Sequence, residues 1–151
     1  MKKTVLIFAL FLVSFIDINA QVEYKVITSV ESIVPAGLGR SRIISTDEVR
    51  NYKDFSSERS SNKKEDGRNK SKRGDIRVKD FEETKLLNFY NLGGIRFQNI
   101  AANDAVISSK INTMIEESWE LAFVTSAVES DAGKGDGTGI FITRYIFKRK
   151  K

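Results

Sequence analysis

Three regimes of apolar spacing follow one another along the 151 residues of the chain. The first is unbroken. Val5 to Ile16 is apolar except for Ser14, with Lys2 and Lys3 before it and Asp17-Ile18-Asn19-Ala20 after it. A positive start, a short apolar run and a small residue ahead of Gln21 follow the order of a secretory signal. The run is well short of the roughly 20 residues needed to span a bilayer. The pattern predicts that residues 1–20 are removed on export, leaving 21–151 as one domain with no membrane span and a periplasmic or extracellular destination.

The second regime is alternation. Val22 to Val34 is rich in β-branched residues and reads as a strand with Tyr24, Val26, Thr28 and Val30 on one face. Pro35 to Gly39 reads as a turn. Thr46 or Asp47 resembles the cap of a short helix. Ile76 to Phe81 alternates like a short strand. Lys85–Leu92 and Ile95–Ile100 flank Gly93-Gly94, the pattern of a hairpin with a tight turn. Trp119–Val128 and Ile140–Lys148 close the chain as two strands joined by a long tip, and the first strand is expected beside this pair.

The third regime is helical. Ile107, Ile111, Met114, Ile115 and Ser118 recur at three- and four-residue intervals, with Asn103 or Asp104 as the cap of a helix running to about Glu117. One further stretch has no apolar residue at all: Ser56 to Asp75 mixes charges with Ser, Asn and Gly and is expected to be a long disordered polar insertion. The fold class expected is α+β, a mainly antiparallel sheet of about five strands packed on one principal helix in the C-terminal half.

Composition narrows the chemistry by what is missing. The chain has no cysteine and no histidine, so disulfides, thiol catalysis, thiolate metal sites and the usual neutral-pH general base are all excluded. A metal would need oxygen ligands alone. The formal charge is +5, and losing Lys2, Lys3 and Asp17 with the leader leaves +4, a mild excess that suits an anionic ligand. Arg40 and Arg42, two residues apart in an extended segment, and Arg144 on the last strand are the candidate anion-binding residues. Asp131 and Asp136 in the glycine-rich loop are weak calcium candidates, because the loop lacks the alternating acids of a recognised cation site. Asp104, Glu116, Glu120 and Asp136 are the carboxylates an acid-only hydrolase would have to use. No cofactor and no nucleic-acid partner is expected; an unidentified protein or an anionic ligand is.

Tyr24-Lys25-Val26-Ile27, a helix running into Trp119-Glu120-Leu121, and a final strand ending Phe147-Lys148-Arg149 resemble the small bacterial domain catalogued as domain of unknown function 4177. The resemblance implies a β-α-β-β unit with the helix on one face of an antiparallel sheet. It covers about 60 residues in pieces and leaves Pro35–Ile100 without a counterpart. The family glycine before the tryptophan is Ser118 here, so the helix end is expected to be shaped differently. The tryptophan itself is expected to plug the seam between helix and sheet. No activity follows from the family. Export and these absences together lead to the expectation of a non-enzymatic binding or interaction domain, with a carboxylate-dependent hydrolase or a structural envelope protein as alternatives.

Overall fold

In the computed structural model, residues 21–33, 41–58, 71–128 and 139–151 are described. The expected leader (1–20), the Pro35–Gly39 turn, Arg40, most of the polar insertion (59–70) and the acidic tip with Asp131 and Asp136 lie outside them.

The β-branched run at the start forms β1 (Val22–Ser32), and its partners come from distant parts of the chain. β2 (Arg42–Ser45) and β3 (Glu82–Lys85) extend the sheet on one side, β7 (Ile140–Lys150) and β6 (Glu120–Val128) on the other. The order is β3-β2-β1-β7-β6, and every neighbouring pair is antiparallel. β1 therefore lies beside the C-terminal pair, as its sequence predicts. The β1–β7 ladder is the longest, running from Val22 opposite Lys150 to Ser32 opposite Ile140.

Alternation divides the sheet into two faces. Lys25, Ile27, Ser29 and Glu31 of β1 share a face with Phe147, Tyr145 and Thr143 of β7 and Ile43 of β2. This face receives the long helix α2 (Phe97–Glu116). The buried core is Ile27, Ile43, Leu86, Met114, Trp119 and Phe147, with Val106, Ile107, Ile111 and Tyr145 packed around it. Phe147 is wholly buried, a gain of roughly 2–3 kcal/mol over leaving the ring in water.

The helix ends at Glu116, where its sequence predicts, but differs from expectation in its start and in how far its buried stripe runs. It begins at Phe97, six residues before Asn103, and Arg96 caps it without a side-chain bond. Tertiary bonds explain the shift. The Asn99 amide donates to the Asn88 carbonyl (2.7 Å), fixing the first turn, while Asn103 is fully buried and spent elsewhere. Its Oδ1 accepts from Leu87 N–H (2.7 Å), and its Nδ2 donates to the Leu87 carbonyl (2.8 Å) and to Glu31 (2.9 Å). At the far end Ile115 is 54% exposed and Ser118 is in water, so the buried stripe runs Asn103, Ile107, Ile111, Met114 and stops there.

The hairpin at Gly93-Gly94 exists in a minimal form. β4 (Tyr90–Asn91) pairs β5 (Gly94–Ile95) around a tight turn, with Gly94 at φ +95°. The residues beyond Ile95 were taken by the helix. No helix starts at Thr46: its hydroxyl accepts from Glu48 N–H and donates to the Asp80 carbonyl, and the first helical turn comes later, a 3-10 turn at Tyr52–Phe55. Ile76–Phe81 is not a strand either. Arg73–Ile76 is one helical turn, α1, closed by Lys72 N–H donating to the Asp75 carboxylate at 2.8 Å, so the polar insertion is ordered at its C-terminal end. Pairing with β2 starts only at Glu82, where Ser45 and Lys110 both donate to the carboxylate.

Candidate interaction surface

The helix–sheet seam ends at Trp119, and the backbone there explains why. Ser118 has φ +67°, the left-handed region. Ser118 N–H donates to the Ile115 carbonyl and Trp119 N–H to the Met114 carbonyl, both at 2.9 Å. This pair of bonds is a Schellman C-terminus, which brings the residue after the left-handed position onto the third residue from the helix end. Here those residues are Trp119 and Met114, both in the core. The Arg149 guanidinium stacks on the indole 4.2 Å from its centroid, and Lys25 Nζ lies 5.9 Å away. The tryptophan does plug the seam, as expected, and is 5% exposed.

Around it lies an open cleft of about 570 Å³, lined by Glu23, Lys25, Asp47, Glu48, Glu117 and Arg149 among others. Its cations are committed. Lys25 pairs with Asp47 at 2.5 Å and Arg149 with Glu23 at 3.1 Å. Lys25 holds the Asp47 carboxyl below its ordinary range, and backbone N–H groups of Asp80 and Lys79, with Arg50, do the same for Glu48. An anionic ligand entering this cleft would have to displace Asp47 or Glu23. The cleft is a lock on the helix end, with more carboxylates than cations.

The candidate site residues fall elsewhere. Arg42 and Arg144 share the sheet face opposite the helix, since Val30 pairs with Arg42 and Thr28 with Arg144. Strand β1 separates them; strand and residue spacings put their Cα atoms roughly 12 Å apart. Arg42 bonds Glu83 at 2.6 Å, whereas Arg144 is exposed. Of the hydrolase carboxylates, Asp104 and Glu116 are both exposed on α2. Twelve residues of helix separate them by about 18 Å, well outside the roughly 5–10 Å at which two carboxyl groups cleave a glycoside. Glu120 pairs with Lys148 at 3.1 Å. Among the described residues no group of three or more acids is placed to hold a metal, and no helix is long and apolar enough to cross a membrane.

What the sequence reading missed is the shape of the sheet's exposed parts. The face away from α2 carries Tyr24, Val26, Val30, Ile44, Phe123, Ile142 and Ile146; Tyr24 is 65% and Phe123 61% exposed. The two edges are built differently. β3 is four residues long and three of them are charged, Glu82, Glu83 and Lys85, a short charged edge of the kind that discourages pairing. β6 is nine residues long, its one charge is Glu120 at the end, and it contains no proline. Every residue of β6 is exposed, on both faces. Its outer backbone edge pairs with nothing among the described residues. A nine-residue stretch with one charge and no breaker was visible in the sequence; its position at the sheet edge was not.

No family model, no curated protein and no solved structure matches this chain, so the reading of these surfaces rests on their own geometry.

Proposed function

We propose that the chain is exported, trimmed before Gln21, and acts as a small non-enzymatic interaction domain that recognises protein by strand addition along β6. The observation that carries this reading is the free edge: a long, nearly uncharged strand, bulged between Leu121 and Phe123, whose outward backbone groups pair with no strand among the described residues and whose apolar side chains are exposed. Strand addition supplies main-chain hydrogen bonds for affinity and alternate side-chain contacts for selectivity. The leader pattern and the absence of His and Cys support the remaining parts. The resemblance to domain of unknown function 4177 belongs to the same proposal, supported by a helix that runs on through Ser118-Trp119 into Glu120-Leu121 of β6 and by a final strand that carries Phe147-Lys148-Arg149 near its end.

A photo-crosslinking amino acid in place of Thr125, read in the expressing cell, tests the edge. Covalent capture of protein that disappears with Val124→Lys is the expected result; capture that survives the substitution, or none, refutes it. Amino-terminal sequencing of the same material should begin at Gln21 in an exported fraction. A cytosolic chain still carrying its leader refutes the export half.

A further inference from the structure

We propose that the sheet face turned from α2 docks on an anionic lipid surface, its apolar residues reaching into the headgroup layer and its cations pairing with lipid phosphates. The β6 edge takes no part in this contact, so neither proposal stands on the other.

The bulge in β6 is the first argument. Leu121 pairs with Phe147 on the helix side, and unbroken alternation would keep Phe123 on that side too. The extra residue between them turns Phe123 to the opposite face, beside Ile146. An aromatic ring is thereby delivered to the surface that α2 leaves uncovered, where it continues the row of Val26 and Ile146, next to Tyr24. A contiguous exposed apolar patch with polar surroundings marks a place of contact with another molecule or a membrane.

Charge divides along the same plane. The open face carries Arg42, Lys85, Arg144, Lys148 and Lys150 against Glu83 and Glu120. On the other side of the sheet, Glu23, Glu31, Glu82, Asp104 and Glu116 outnumber Lys25, Lys110 and Arg149. Glu83 pairs with Arg42 and Glu120 with Lys148, which leaves Lys85, Arg144 and Lys150 without an ion pair among the described residues. Arg144 and Lys150 lie about 20 Å apart along β7. The row of Val26, Ile146 and Phe123 crosses the sheet between them.

This mixture selects the occupant. A second copy laid face to face would set these cations against their own kind. A polar anionic polymer would satisfy the cations and leave Phe123, Val26 and Ile146 in water. An acidic protein would have to match the basic and apolar rows in one register. A lipid surface offers phosphate and hydrocarbon at every point, so interleaved basic and apolar rows are enough. Tyr24, apolar in its ring and polar at its tip, suits the layer between the two. The acidic helix side then points away from the membrane.

The test is partition of the chain, as the cell delivers it, onto sucrose-loaded vesicles of phosphatidylglycerol and phosphatidylethanolamine, with phosphatidylcholine vesicles as the uncharged comparison. The expected result is that the chain pellets with the first and stays in solution with the second. One cation near an anionic surface contributes about fivefold to such partition, and Arg144→Gln should lose that factor. Asn112→Glu, on the exposed side of α2, makes the same change in net charge far from the docked face and should lose less than about twofold, because salt screens charges at that range. Phe123→Ser should weaken binding at high and low salt alike. All three positions are exposed, so each variant should keep its thermal midpoint, which separates lost docking from lost folding. Equal pelleting with both kinds of vesicle, pelleting with neither, or equal losses for Arg144→Gln and Asn112→Glu overturns the proposal. A photo-crosslinking amino acid in place of Tyr24, two strands away from the β6 edge, should capture lipid in the expressing cell; capture of protein there instead overturns it as well.

Discussion

Replacing Ser118 by glycine should stabilise the protein. Ser118 holds the left-handed position of the Schellman end of α2, at φ +67°. An L-residue with a Cβ pays roughly 1–2 kcal/mol for that conformation, and glycine pays nothing for it but loses about 0.5–1 kcal/mol more backbone entropy on folding. The difference favours Ser118→Gly by about 0.5–1 kcal/mol. For a domain of this size that corresponds to roughly 2–4 °C in the thermal midpoint. Ser118 is exposed and no hydrogen bond of its side chain enters this balance. Trp119 is the single tryptophan of the chain and sits buried on Arg149, so urea unfolding can be followed by its fluorescence, with far-ultraviolet circular dichroism as a probe remote from the substitution. The midpoint should rise with the slope unchanged. Ser118→Val, with a β-branched side chain in the same region, should lower it by more than 1 kcal/mol. A Ser118→Gly midpoint that stays or falls, together with a harmless Ser118→Val, would refute the left-handed helix end and the placement of Trp119 that depends on it.

Other perturbations follow from the same bonds. Asn103→Ala strands both polar groups of Leu87 and should cost about 2–4 kcal/mol in urea unfolding; a loss under 1 kcal/mol would mean that water replaces the amide. Ser29 is buried, and its hydroxyl has no hydrogen-bond partner among the described residues. Ser29→Ala should therefore raise stability by about 1 kcal/mol, and a lower thermal midpoint would contradict this. Glu82 is held below its ordinary pKa of 4.5 by Lys110 and Ser45. A depressed folded-state pKa gives stability that is present above the unfolded value and lost as pH falls. Urea midpoints should therefore drop below about pH 4.5, and Glu82→Gln should flatten that drop. An unchanged acid limb would show that Glu82 contributes nothing measurable, the common result for exposed pairs.

The sequence was most legible where one signal dominated. β-Branched density placed β1 and β7 within a residue or two, and the contrast between Trp119–Val128 and the helix before it placed β6. It was least legible where a tertiary bond outweighed a local preference. Asn103 looks like a cap because asparagine competes for backbone near its own position, yet its amide reaches Leu87, sixteen residues back in sequence. Ile115 fits the three-and-four spacing, but the Schellman end turns the chain so that Trp119 occupies the space an extended stripe would fill. Glu82 carries no strand propensity; its strand exists because β2 offers a ladder and Ser45 and Lys110 hold the carboxylate. Of the candidate site, the arginines were placed by spacing alone, and spacing could not reveal that Glu83 already holds Arg42. The β6 edge could not be read at all, since being last in a sheet is a property of strand order and not of any residue.

The β1–β7 ladder, completed where Lys151 N–H meets the Gln21 carbonyl, sets the timing of assembly. The central staves of the sheet lie far apart in sequence, Val22 opposite Lys150 and Ser32 opposite Ile140, so a chain cut before Ile140 keeps only β2 to zip against β1. Without β7, β1 has only β2 beside it, and contacts made this far apart in sequence place the domain among the slower-folding topologies. Losing β7 would therefore part the sheet at its centre and leave β6 with no neighbour.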